Sequence, residues 1–111
     1  MAEFYLPVLS HFQNGNFWTA SDRRMRYRVD PEGEELVTQV WEGPWEEADS
    51  EMEDHQRFPL SEEGLTAIQE WAAGWSETIN SRPALTLAET IQRRDALRAR
   101  RAEEAAGQEA E

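Results

Sequence analysis

From Arg24 to Val29 apolar and Arg residues alternate strictly (Arg-Met-Arg-Tyr-Arg-Val), the period of a half-buried strand. Asp30-Pro31-Glu32-Gly33-Glu34 is turn chemistry, with Pro setting φ and Gly free to take positive φ. Glu35 to Trp41 is again β-rich. A four-residue loop, Pro31 to Glu34, sets Val29, Tyr27 and Met25 opposite Leu36, Thr38 and Val40, six side chains on one core-facing side. Arg24, Arg26 and Arg28 then share the other side with Val37, Gln39 and Trp41. Upstream, the Asn14-Gly15-Asn16 turn signal separates candidate strands at Tyr5–Phe12 and Phe17–Ala20. Gly43-Pro44 ends the third run, Trp45–His55 reads as irregular, and Gln56–Leu60 is a candidate short edge strand.

The period changes after Ser61. Leu65, Ile68, Trp71, Ala72, Trp75 and Ile79 recur at helical spacing behind a Ser61 cap, with Glu62 and Glu63 in the first turn. Asn80-Ser81-Arg82-Pro83 breaks that helix, and Thr86-Leu87-Ala88-Glu89 is a capping-box pattern opening a second, polar one. This predicts an α+β fold. A small antiparallel sheet of three to four strands, at about 4–10, 17–20, 24–30 and 35–42, is packed by one amphipathic helix at 62–79. A long C-terminal helix follows from about 87, its second half projecting into solvent. The organisation expected is a core domain over 1–83 and a C-terminal helix with a polar tail over 84–111.

Composition narrows the chemistry. The 111 residues hold 23 Asp and Glu against 11 basic residues, all Arg, for a net charge of -12. Such a balance opposes direct binding to nucleic acid or to an anionic membrane. No Cys is present, which removes disulfides, thiol nucleophiles and thiolate metal sites. No apolar window has the length of a membrane span, mean hydropathy is -0.83, and the first residues lack a basic leader region, so a cytoplasmic location is expected. His11 and His55 are isolated, no catalytic constellation or nucleotide-binding glycine motif is present, and no cofactor is implied.

The charge is concentrated. Residues 30–70 carry 14 acids against Arg57 alone, a net of -13, while the rest of the chain carries +1. Such a belt has three readings. It is a solvated surface. It is a metal site at Asp49, Glu51, Glu53, Asp54 and His55, although the run lacks the glycine and spacing of a calcium loop. Or it imitates a nucleic-acid backbone and offers a cationic groove a row of carboxylates in place of phosphates. The residues that would carry this last role are Glu46, Glu47, Asp49, Glu51, Glu53 and Asp54, with Glu32, Glu34 and Glu35 in support and Trp45 as an aromatic anchor. The hairpin arginines read as ion-paired with surplus carboxylates and stacked on Trp41, and Trp41 and Trp45 as packing against the 62–79 helix.

The strings Gly15-Asn16-Phe17-Trp18-Thr19-Ala20-Ser21, Arg26-Tyr27-Arg28-Val29, Trp41-Glu42-Gly43-Pro44 and Phe58–Leu65 resemble a group of small acidic proteins of bacterial mobile elements, over residues 14–75. In size, acidity and lack of catalytic groups the chain is also similar to the anti-CRISPR and anti-restriction proteins of phages. That likeness implies a non-enzymatic inhibitor that occupies the DNA-binding groove of a basic protein, a CRISPR-associated effector or a restriction nuclease. The alternative is a structural or adaptor protein of a mobile element, a homodimer through its C-terminal helix.

Overall fold

The alternation at residues 24–29 forms the inner hairpin of a four-stranded antiparallel sheet in the computed structural model, which describes residues 5–109. Residues 1–4, with the start of the expected first strand, and residues 110–111, the end of the expected C-terminal unit, lie outside the described residues. The strands are β1 (Trp18–Asp22), β2 (Met25–Glu32), β3 (Glu35–Glu42) and β4 (Asp54–Pro59), hydrogen-bonded in that order. Three helices accompany them: α1 (Leu9–Gln13), α2 (Glu62–Asn80) and α3 (Leu87–Glu109). No helix among the described residues is long and apolar enough to cross a membrane.

The hairpin differs from expectation in register but not in facing. Its turn is two residues, Gly33 and Glu34, with Gly33 at φ 64°, and the pairs are Pro31 with Leu36, Val29 with Thr38 and Tyr27 with Val40. The pairing is shifted by two residues from the four-residue-loop register. A shift of two keeps every side chain on its side, because the strand period is two. Pro31 pairs beyond the last residue of β1, so on that side its missing N–H has no strand to bond. Met25, Tyr27, Val29, Leu36, Thr38 and Val40 are all 0–1% exposed. Burying side chains of this size contributes about 1.5–3 kcal/mol each.

The segment expected as the first strand is not one. Its residues from Leu9 onward form α1, which presses Phe12 into the core with Leu6 and Leu9 beside it. Pro7 would remove a ladder donor from the middle of a strand at 4–10. The Asn14-Gly15 turn closes a helix rather than a hairpin: Asn14 N–H donates to Ser10 O and Gly15 N–H to Phe12 O, with Gly15 at φ 83°. The candidate edge strand at Gln56–Leu60 is present as β4 and completes the sheet.

The inner side of the sheet is covered by α2, through Leu65, Ile68, Ala72, Ser76 and Ile79. Ser61 caps the helix by accepting from Gly64 N–H at 3.1 Å. Gly64 is required there, since a Cβ would stand 1.8 Å from the Pro59 carbonyl oxygen where helix and strand end meet. Polar clamps fix the other end: Asn80 accepts from Arg24 N–H at 2.9 Å and donates to Asp22 O at 3.0 Å, and Ser76 Oγ donates to Asp22. Thr86 and Glu89 form the expected capping box, each side chain accepting the other's backbone N–H at 3.1 Å. The second half of α3 does not leave the body of the protein where the sparse apolar pattern implied. Leu97 is buried and the arginines after it reach back to the acidic segment, so the helix is free of contacts only beyond Arg101.

Candidate functional site

Of the ten candidate residues, nine fall into two places and Asp54 stands apart at the start of β4. The chain from Trp45 to Glu53 runs beneath α3, with a single 3-10 turn at Glu47–Asp49. There Asp49 accepts both arms of the Arg98 guanidinium, at 2.7 and 2.9 Å, and Glu51 accepts from Arg100 at 2.5 Å. Arg101 donates to the carbonyls of Ala48 and Ser50. Glu53 grips Arg82 through two bonds of 2.7 Å, and Glu47 accepts from Arg28 at 3.2 Å. The guanidiniums of Arg98 and Arg100 hold the Asp49 and Glu51 carboxyls below their ordinary range, mainly through these hydrogen bonds. Arg94 lies over the Trp45 ring, 4.4 Å from its centre, and Trp45 Nε1 donates to Thr90 O at 3.0 Å. Of the acids in this stretch, Glu46 alone has no ionic partner among the described residues.

Asp54 serves the fold. Its Oδ2 accepts from the indoles of Trp71 and Trp75, at 3.0 and 3.2 Å, and ties α2 to β4. Burial acts to raise its pKa, but the hydrogen bonds from Trp71, Gln56, Trp75 and the His55 backbone outweigh it and hold the carboxyl below the ordinary range.

The second place is the hairpin tip. Leu60 N–H donates to Glu34 O at 2.9 Å, which brings the tip against the start of α2. Glu32 and Glu35 share Arg57 there, at 3.4 and 3.3 Å, Glu34 stands in the turn between them, and Glu62 and Glu63 follow in the first turn of α2. Glu63, Glu70 and Glu77 continue along the exposed side of α2, seven residues and so about 10.5 Å apart. None of Glu34, Glu62, Glu63, Glu70 and Glu77 has an ionic partner among the described residues. Glu62, Glu63 and Glu70 belong to the acidic belt of residues 30–70 but not to the sequence-derived candidate set, nor does Glu77; the seven-residue spacing of Glu63, Glu70 and Glu77 on an amphipathic helix is the sequence signal for this row.

Arg24 and Arg28 are ion-paired within the chain, as expected, although not stacked on Trp41, whereas Arg26 bonds the Arg23 and Met25 carbonyls and has no carboxylate partner among the described residues. Arg28 bonds Asp30 at 2.6 and 3.0 Å and lies 4.3 Å from the centre of the Phe17 ring, and Arg24 bonds Glu42 and the carbonyls of Asn80, Arg82 and Pro83. Trp41 is buried on the side of the sheet away from α2, donating to Trp45 O at 3.0 Å, so neither tryptophan packs on that helix as the sequence implied. An open groove of about 630 Å³ borders the pair, and a cleft of about 450 Å³ lies between residues 42–53 and α3. The cleft mixes Arg82, Arg93 and Arg100 with Glu42, Asp49 and Glu53 and converges no acid–base pair on an enclosed pocket. Among the described residues no three Asp, Glu or His side chains are grouped as metal ligands. The chain matches no protein-family model, no curated protein and no solved structure.

Proposed function

We propose that this protein is a non-enzymatic inhibitor that engages a basic nucleic-acid-binding protein in the cytoplasm of a bacterial host, in the manner of anti-CRISPR and anti-restriction proteins. Its contact surface is the run of carboxylates from the hairpin tip along α2: Glu34, Glu62, Glu63, Glu70 and Glu77, with Glu32 and Glu35 beside them. The observation that supports this reading is the distribution of ion pairs. Arginine is abundant, and it compensates the acids under α3 while leaving this row bare. Packing like charges together opposes folding through self-repulsion, and a cationic groove relieves that cost on binding.

The test is competition with DNA. Purified CRISPR effectors and restriction nucleases would lose DNA in a mobility-shift assay as the protein is added, and the loss would weaken as salt rises from about 0.05 to 0.5 M. The variant Glu34→Gln/Glu62→Gln/Glu63→Gln would compete at least about tenfold less well, the loss expected when several steering charges go together. Competition that is indifferent to both salt and these substitutions would reject the reading. The second reading, an adaptor that self-associates through α3, is favoured by the last turns of that helix, where residues 102–107 are exposed on every side. It requires a concentration-dependent mass in sedimentation.

A further inference from the structure

Helix α3 is seated by its arginines rather than by an apolar face. Leu97 is its one buried apolar side chain, with Ile91 half-buried. Arg94, Leu97, Arg98 and Arg101, at helical spacing i, i+3, i+4 and i+7, form the contact side. They meet Trp45 by ring stacking, Asp49 by a two-bond fork, and the carbonyls of Ala48 and Ser50. Arg100 adds Glu51 from the flank. A fork-shaped guanidinium with a planar carboxylate, a second on an aromatic face and a third on paired carbonyls is a recognition pattern specific for Arg.

The seat is also built to release its occupant. Both carboxylate pairs are open to solvent, with Arg98 and Arg100 each 55% exposed, and surface pairs of this kind hold weakly. The connection before α3 is pinned much better. Arg82 is held by Glu53 and Glu42, and Arg24 bonds the Asn80, Arg82 and Pro83 carbonyls. The break between the firm and the weak part therefore falls at residues 84–86, just before the helix.

We propose that residues 45–53 are a receptor for an arginine-bearing helix of a partner protein, and that α3 is a displaceable cover occupying it in the isolated chain. This rests on the reading that the protein binds a basic partner, and adds that it does so at two surfaces: a bare one at the hairpin tip and a covered one under α3. A partner helix with Arg at i, i+4 and i+7 satisfies the same groups, and its binding sets α3 free.

The experiment uses the full chain and, as probe, a fluorescently labelled peptide of residues 87–107, read by anisotropy. Arg98→Gln/Arg100→Gln/Arg101→Gln unseats the cover and raises peptide affinity about tenfold or more, because the closed state no longer competes. A control, Arg23→Gln/Arg26→Gln/Arg57→Gln, has the same net charge but leaves the contacts of α3 in place, and stays at the unmodified affinity. Adding Asp49→Arg and Glu51→Arg to the opened protein abolishes binding. With the unmodified chain, saturating peptide speeds amide exchange over residues 90–101 but not over 65–79, so a variant that misfolds does not decide the matter. Equal affinity for the opened protein and the control, unaltered exchange, or a reciprocal α3-swapped dimer in place of peptide binding would overturn the proposal. None of these outcomes involves Glu34, Glu62 or Glu63, so the reading of the hairpin tip stands or falls separately in the DNA competition.

Discussion

Two stretches of one acidic belt, drawn from the same residue types, meet opposite fates. Between Asp49 and Glu53 three carboxylates are tied to arginines nearly thirty or more residues away: Glu53 to Arg82, Asp49 to Arg98, Glu51 to Arg100. At the hairpin tip and along α2 a single guanidinium, Arg57, pairs with Glu32 and Glu35, and among the described residues Glu34, Glu62, Glu63, Glu70 and Glu77 have no ionic partner. Local composition does not distinguish the two stretches. What distinguishes them is where α3 comes to lie, set by the Ser81–Thr86 connection, by Trp45 donating to the Thr90 carbonyl and carrying Arg94 on its ring, and by the burial of Leu97. A strongly negative segment is therefore a poor guide to a negative surface until its long-range partners are known.

The largest effect would come from removing the platform both stretches share. Ile68, 0% exposed, joins α2 to the sheet, and Ile68→Ala deletes buried volume that the neighbouring strands cannot refill. A loss of about 2–5 kcal/mol is expected. In chemical denaturation sheet and α2 would unfold in one transition at a lower midpoint. Two separate transitions would show that the tip is not carried by the core.

A smaller effect separates the stretches by pH. Asp49, Glu51 and Asp54 have carboxyls held below their ordinary range by Arg98, Arg100 and the Trp71, Gln56 and Trp75 hydrogen bonds. Groups depressed in the folded state contribute stability that is full above the unfolded pKa, about 4, and is lost as pH falls through the folded value. Melting temperature would accordingly drop below about pH 4. Replacing Asp54 by Ala leaves two indole N–H groups without their acceptor, costs about 1–3 kcal/mol, and flattens part of that acid limb. An acid limb unchanged in Asp54→Ala would place the sensitivity elsewhere in the belt.

The contrast between what was legible and what was not has the same origin. The α2 stripe, the Ser61 cap, the Thr86–Glu89 box and the facing of β2 and β3 all rest on neighbours within a few residues, where period and capping chemistry act. The hairpin register shifted by two because Gly33 allows a tighter turn than Pro31 suggested, a choice between two loops with identical facing. The segment Tyr5–Phe12 carries a strand-like pattern because Leu9 and Phe12 are as apolar as strand residues, but Pro7 opposes a strand and Leu9–Gln13 is helical. The pairing of Asp49 with Arg98 spans 49 positions, beyond any local period. So the acids were legible as a set, while the division between compensated and bare ones was not.

Under α3 the ion pairs are exposed, and their loss would be felt more in motion than in stability. Arg98→Gln breaks the fork to Asp49, and a solvent-exposed pair of this kind adds little to stability. Amide exchange over 90–101 would nevertheless quicken, and raising salt would mimic the substitution because the pairs are open to solvent. If exchange there is as slow in Arg98→Gln at high salt as in the unmodified protein at low salt, α3 is held by Leu97 and Trp45 instead.

The smallest effect has the opposite sign. Glu70 lies between Glu63 and Glu77 on the exposed side of α2 with no cation in reach among the described residues, so neutralising it relieves repulsion and breaks no contact. Surface substitutions of this kind stay within about 0.5 kcal/mol, and here Glu70→Gln would stabilise by a few tenths. The gain would shrink as salt rises, since screening weakens the same repulsion in the unmodified protein. Neutralising Glu51, which is paired, would show the reverse sign under the same conditions. Opposite signs at Glu70 and Glu51, converging toward zero with added salt, are what two differently compensated surfaces require; equal signs would mean that the belt behaves as one solvated patch.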